Sequence, residues 1–300
     1  MDLKEIKSIE IVPFTLMTSS VNAVWAFIYA IFLVILGIIV FALSPTPANE
    51  AVIGFYIASI VSSPVLSFIA GVLQSFLFAL IYNLLVPKLG GIKLGLEDLS
   101  EIKSVPVVPF ALITSTISAI FVLIAMLIIM PLIAAYIPAI IHAMSSLPLN
   151  TTTVPVQDLS AIQTFGIAGS ILSIIILPIV TFVVVFIADA ILAALYNLLA
   201  PRVGGIKLEF ASAADIYEVL SVAPVPLALI ISSIVAVIGI IVGIIAIIIS
   251  AIYGAAILGV GFLIGFTIGG FVVSFVVYAI FALIYNFLRP KIGGVKLELE

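Results

Sequence analysis

The sequence contains no cysteine, which excludes disulfides, thiolate nucleophiles and iron–sulfur ligation. It contains a single histidine, His142, and a lone imidazole with no Cys, Asp or Glu beside it does not make a metal site. Charge is nearly as scarce. Ten Lys and Arg with fourteen Asp and Glu amount to 8% of the 300 residues, against 65% hydrophobic ones. A soluble domain carries about 25% charged residues, so this chain lacks the charge to cover a globule in water. Such hydrophobicity excludes disorder. The excess of acid and the absence of any basic stripe exclude a nucleic-acid partner. What these absences leave is an integral membrane protein.

The few basic residues are informative by position. They gather at the N-terminus and in 88–103, 202–207 and 289–296, leaving 8–87, 104–201 and 208–288 without Lys or Arg. Each gap has room for two crossings of about 20 residues. Each also has a break near its middle: Ser44 to Glu50, Ser145 to Gln163, and Ser250 to Gly254. Two crossings per gap return every basic cluster to one side, and basic residues mark the cytoplasmic side. The expectation is six transmembrane helices in the cell membrane with both termini cytoplasmic. The run from Pro13 to Leu43 is too long for a signal-peptide core and reads as a retained first helix. The apolar runs are continuous, which rejects the alternating pattern of a membrane β-barrel.

The chain also repeats itself. Tyr82-Asn83 with Gly90-Gly91, Tyr196-Asn197 with Gly204-Gly205, and Tyr285-Asn286 with Gly293-Gly294 end three aligned stretches of the form Tyr-Asn-x-x-x-Pro-basic-x-Gly-Gly-x-Lys-Leu. Upstream, Glu5, Glu101 and Glu218 align, as do Pro13, Pro109 and Pro226. The tyrosine suits a membrane interface, where its ring is apolar and its hydroxyl wet. The proline and glycine pair end a helix. Alternation of apolar and polar residues on either side of each helix pair, as in Val295 to Glu300 and Ser8 to Val12, has the period of a half-buried strand. The expected fold is an all-α membrane bundle of three tandem two-helix repeats, 1–99, 100–212 and 213–300, around a pseudo-threefold axis. Short cytoplasmic strands at the repeat ends are expected to pair, trailing with leading; interfacial tails without a sheet are the alternative.

On these residues, each copy resembles an uncharacterised family of two-helix transmembrane domains, best populated in actinobacteria. The resemblance implies the two-helix fold and no chemistry; three copies in one chain depart from it.

Within the helices, Asp189 is the one acid inside a membrane segment, and an intramembrane carboxylate is a functional-site candidate. Ser75 and Tyr278 hold the equivalent positions, so a polar ring on the axis is one reading, with Thr114, Ser115 and other hydroxyls nearby. The other is a carboxyl bonded to a neighbouring helix. Gly261, Gly265 and Gly269, with Gly239 and Gly243, have the four-residue spacing of close helix packing. Asn150-Thr151-Thr152 fits a glycosylation sequon in the longest outer loop. The second helices exceed a bilayer's thickness: Ala51 to Val86 alone spans about 54 Å against a hydrocarbon core of about 30 Å. The surplus either projects as an apolar outer crown or is absorbed by tilt.

No nucleophile elbow, phosphate loop, zinc motif or cysteine pair is present. The expectation is therefore a protein with no enzymatic activity, cofactor or metal, lodged in the lipid bilayer as a structural, scaffold or assembly subunit. Its partners would be other membrane or envelope proteins, held through the outer apolar helix ends and through free strand edges. A channel or transporter along the axis is the alternative. Abundant Ile and Val with three glutamines point to a thermophilic, archaeal source.

Overall fold

The computed structural model describes the backbone of residues 2–145 and 156–300, and the side chains of these except 144, 145, 156–162 and 165. The elements in order are β1 (Asp2–Ile9), α1 (Ile11–Leu43), α2 (Pro47–Leu89), β2 (Lys93–Glu97), β3 (Glu101–Ser104), α3 (Val107–Ser145) and α4 (Val156–Val203). There follow β4 (Ile206–Ala213), β5 (Ile216–Val222), α5 (Pro224–Ile252), α6 (Ala256–Ile264), a π-helical turn (Gly265–Gly269), α7 (Gly270–Ile292) and β6 (Lys296–Leu299).

Among the described residues, six helical segments are long and apolar enough to cross a membrane: Ile11–Leu43, Pro47–Leu89, Val107–Ala143, Gly166–Val203, Pro224–Ile252 and the joined Ala256–Ile292. The chain is a multi-pass membrane protein. Its helix starts follow local chemistry. Pro13, Pro109 and Pro226 each stand third in α1, α3 and α5, where no intrahelical acceptor awaits the missing N–H. Because a first turn tolerates proline, β1 stops at Ile9 and α1 begins at Ile11, two residues ahead of Pro13 and inside the stretch expected to be strand. Thr46 caps α2 by accepting the Asn49 N–H at 3.2 Å. α4 begins at Val156, inside the stretch expected to be loop. Asn150 lies outside the described residues.

The six strands close into an antiparallel barrel in chain order, β6 returning to β1. Every pair joins a strand that leads into a helix pair with one that trails out, as the alternation predicts. β1 pairs with β2 through Glu5↔Lys93 and with β6 through Ile9↔Leu297; β3 pairs with β4 through Glu101↔Lys207; β4 pairs with β5 through Leu208↔Val222. Closure removes the free edges anticipated for strand addition, because both sides of every strand are taken. The fold is mostly helical with strands at the helix-pair ends, as expected, and the strands add a closed barrel. Ile6, Leu96, Ile102, Val219 and Leu299 are the strands' buried apolar side chains, together with Ile9.

The chain divides into two compact units, Met1–Phe110 with Leu192–Glu300, and Ala111–Ile191. The first holds the barrel, α1, α2, α5, α6, α7 and the barrel-side ends of α3 and α4. Its buried centres include one of Met17, Val21 and Ile284, and another of Tyr196, Ala200, Ile230 and Ile234 with Leu96 and Ile102. The second unit is the remainder of α3 and α4, where Ile137 packs on Gly166.

The glycines sort by direction. A Cβ on Gly239 would lie 2.5 Å from the Phe266 carbonyl oxygen, and one on Gly243 2.5 Å from the Leu263 Cα. Gly259 meets the α5 backbone in the same way at Ile247, and a Cβ on Gly270 would lie 3.2 Å from the Val235 side chain of α5. Gly261, Gly265 and Gly269 face open space, contrary to the packing expected of them. Their spacing of four makes a stripe, but two residues of helix turn it about 200° away from the stripe through Gly259 that meets α5.

Candidate functional site

Where each second helix returns to the barrel, one arrangement of side chains occurs three times. The Tyr82 hydroxyl donates to the Ile6 carbonyl at 2.7 Å and accepts the Ile92 N–H at 2.9 Å. Asn83 accepts the Ile9 N–H at 2.8 Å and donates to the Ile9 carbonyl at 2.9 Å. Glu5 accepts the Gly91 N–H at 2.7 Å. The same bonds link Tyr196 to Ile102 and Ile206, Asn197 to Val105, and Glu101 to Gly205. They link Tyr285 to Val219 and Val295, Asn286 to Val222, and Glu218 to Gly294.

The physical logic is backbone accounting. A strand that turns into a helix leaves N–H and C=O groups without a ladder partner, and buried backbone groups must find one. The asparagine amide supplies both a donor and an acceptor to a single residue, as a neighbouring strand would. The tyrosine hydroxyl bridges the leading and trailing strands. The glycine pair permits both contacts: Gly90, Gly204 and Gly293 take φ of +80°, +92° and +84° at the helix ends. The second glycine sits so close to the leading strand that a Cβ on Gly91, Gly205 or Gly294 would collide with the Ile6, Ile102 or Val219 carbonyl.

The tyrosines, read from sequence as interface anchors, are thus hydrogen-bonded posts. The glutamates were missed as site residues, although their alignment at 5, 101 and 218 was the signal that could have found them. The N–H of Gly91 holds the Glu5 carboxyl below the usual carboxylate range; desolvation opposes it, and Lys7 and Lys93 add to the lowering. At Glu101 desolvation pushes upward, but the Gly205 N–H with Lys103 and Lys207 outweighs it, and the carboxyl is again held low. Lys103 reaches Glu101 at 2.9 Å, and Arg289 reaches Glu218 at 3.1 Å.

A carboxyl lowered in the folded state stabilises above its unfolded value of about 4.3, and that stability is lost as pH falls through the lowered folded value. Melting temperature in detergent should be level near neutrality and fall below about pH 4.3. Glu101→Gln should flatten part of that acid slope.

Asp189 accepts a hydrogen bond from the Thr114 hydroxyl at 2.5 Å, so the structure brings together an acid and one of the hydroxyls singled out from sequence. Of the other two ring candidates, Ser75 donates to the Gly71 carbonyl of its own helix, and Tyr278 lies 6.3 Å from Phe281, ring to ring. Ser19, Ser115 and Ser232, all fully buried, bond carbonyls one turn back in their own helices. His142 is exposed in the last turn of α3.

If the Thr114–Asp189 bond is structural, Asp189→Asn keeps an acceptor and should change stability little. Thr114→Val strands the carboxylate and should lower stability by about 1–3 kcal/mol. Unfolding of both variants in one detergent checks the contrast.

A sequence profile for a transmembrane domain of unknown function (DUF3566) matches residues 97–212. The match begins at the last residue of β2 and covers β3, α3 and α4 and all of β4 but its last residue. No curated protein and no solved structure matches the chain.

Proposed function

We propose that the chain is a non-catalytic structural, scaffold or assembly subunit of a membrane or envelope complex. It is built from three tandem copies of one strand–helix–helix–strand unit, 1–99, 100–212 and 213–300, about a pseudo-threefold axis. The thrice-repeated Tyr-Asn-Glu junction supports the copies, and the profile match frames the middle one.

The observation that carries the scaffold reading is surplus apolar helix. α2 has 43 residues, about 65 Å, against a hydrocarbon core of about 30 Å. Counting up from Tyr82, the part of α2 before about residue 62 lies beyond one bilayer core. Leu43, Phe55 and Val61, at or near that outer end of the α1–α2 hairpin, are 82%, 71% and 74% exposed. The hairpin stays paired there, since Gly37 lies against the Tyr56 ring. A paired, rigid, apolar projection is a surface for another protein. Buried strand side chains and glutamates spent on backbone N–H groups favour a packed barrel over a pore or a catalytic centre. The barrel lies on the cytoplasmic side of the cell membrane, by the rule for basic residues.

Purification from the native host in mild detergent tests this. A stoichiometric membrane or envelope protein should co-purify, and Phe55→Lys with Val61→Lys should release it without unfolding the chain. A partner-free protein that passes ions in liposomes, with flux abolished by Asp189→Asn, would instead establish conduction.

A further inference from the structure

One junction between helix pairs is filled by the chain itself, and its counterpart is hollow. Where α7 meets α1, Trp25 stacks on Phe281 with ring centroids 4.9 Å apart, over the core of Met17, Val21 and Ile284. Aligning the copies on their leading prolines and motif tyrosines places Ile238 where Trp25 stands and Leu192 where Phe281 stands. These two smaller residues line a cavity of about 390 Å³ between α4 and α5, bounded toward the barrel by Ile102 and Ile206.

The cavity's chemistry is narrow. Its walls are aliphatic apart from Phe110, Tyr196 and Tyr278. The Tyr196 hydroxyl is already committed to Ile102 and Ile206. The Tyr278 hydroxyl has no hydrogen-bond partner among the described residues. Water gains nothing there, because a stable buried water needs two to four polar partners. At about 30 Å³ per water, a volume close to that of a methylene, the space equals about a dozen chain carbons. The rim reaches the surface: Leu192 and Tyr278 are 39% and 38% exposed. What surrounds a membrane span is hydrocarbon.

We infer that this cavity is a binding site for one hydrocarbon chain of a membrane phospholipid, held between α4 and α5 in place of the aromatic pair that fills the α1–α7 junction. The comparison of junctions rests on the three-copy reading. The binding itself rests on the cavity's size, wall and rim.

The test is photolabelling in vesicles of phosphatidylethanolamine and phosphatidylglycerol, doped with a phospholipid carrying a diazirine at the end of one acyl chain. In the wild-type protein, label should concentrate on Leu192, Ile231 and Val235 over the outward-facing Leu66 and Leu73. Leu192→Phe with Ile238→Trp rebuilds the filled junction; label at the cavity should fall about tenfold, as expected when the space that carries the affinity is closed, with Leu66 unchanged. Val235→Phe, a smaller filling change, should act in the same direction if the double variant fails to fold. Equal labelling of cavity and outer surface in the wild-type protein would overturn the inference. So would cavity labelling that persists in folded filled variants, or labelling by a diazirine fatty acid but not by the phospholipid. Because this test uses no partner protein, its failure leaves the co-purification result intact.

Discussion

Gly205→Ala is expected to be among the most damaging single changes in the chain, lowering stability by on the order of 3–5 kcal/mol. The added Cβ would occupy the space of the Ile102 carbonyl oxygen. That obstacle is backbone, not a side chain that can turn away. Relief requires β3 to move from the end of α4, and the move breaks the Tyr196 and Glu101 bonds that share the junction. The neighbouring glycine is the control. Gly204 sits at φ +92°, and a Cβ added there would meet nothing nearer than the Glu101 carboxylate at 4.0 Å. Gly204→Ala should therefore cost only the strain of a positive-φ backbone, about 1–3 kcal/mol. Chemical unfolding in detergent measures both. Equal losses, or a larger loss at Gly204, would show that crowding against the leading strand is not what fixes the second glycine.

Tyr196→Phe is the second large effect. The ring is 6% exposed and remains in the variant, so packing is kept and only the hydroxyl goes. Its removal leaves the Ile102 carbonyl and the Ile206 N–H without their bridge. A buried group left unpaired costs about 1–3 kcal/mol, so the two together should cost roughly 2–6 kcal/mol. Tyr82→Phe and Tyr285→Phe should behave alike. Tyr278→Phe removes a hydroxyl with no partner and should be close to neutral. If Tyr196→Phe and Tyr278→Phe were equally mild, the tyrosines would be interface anchors only, and the hydrogen-bonded post would not be their function.

The helical spans were legible in the sequence because two independent signals agree on them: apolar runs, and basic residues confined to the seams. The leading and trailing strands were legible from alternation, and so was their pairing, since the chain direction leaves each pair antiparallel. Closure was not. Alternation reports that a strand has a buried face, but it does not report that β1 and β6, almost the whole chain apart, are each other's neighbours. The posts were half legible. Tyr82, Asn83 and Gly91 announced themselves by recurrence, yet recurrence does not say that an asparagine amide answers a strand's backbone. The stripe of Gly261, Gly265 and Gly269 misled for a related reason: spacing fixes that residues share a face, not which way the face points. Asp189 was conspicuous as an acid in an apolar run, and Thr114 was within the group of hydroxyls read beside it. Their pairing needed the two helices in place.

The two ends of the chain close one barrel. Ser8 and Glu298 are direct partners across β1 and β6, and the Ser8 hydroxyl donates to the Glu298 carboxylate at 2.8 Å. Directly opposed residues on antiparallel strands have Cβ atoms about 4.5–5.5 Å apart, within small adjustment of the roughly 3.5–4.5 Å that a disulfide spans. The natural sequence has no cysteine, so Ser8→Cys with Glu298→Cys introduces only that pair. Mild oxidation of the protein in its membrane should give near-complete intramolecular cross-linking, seen as a faster-migrating circular species that reverts on reduction. Free thiols that stay unreacted, or disulfides that join separate chains, would contradict the closed barrel.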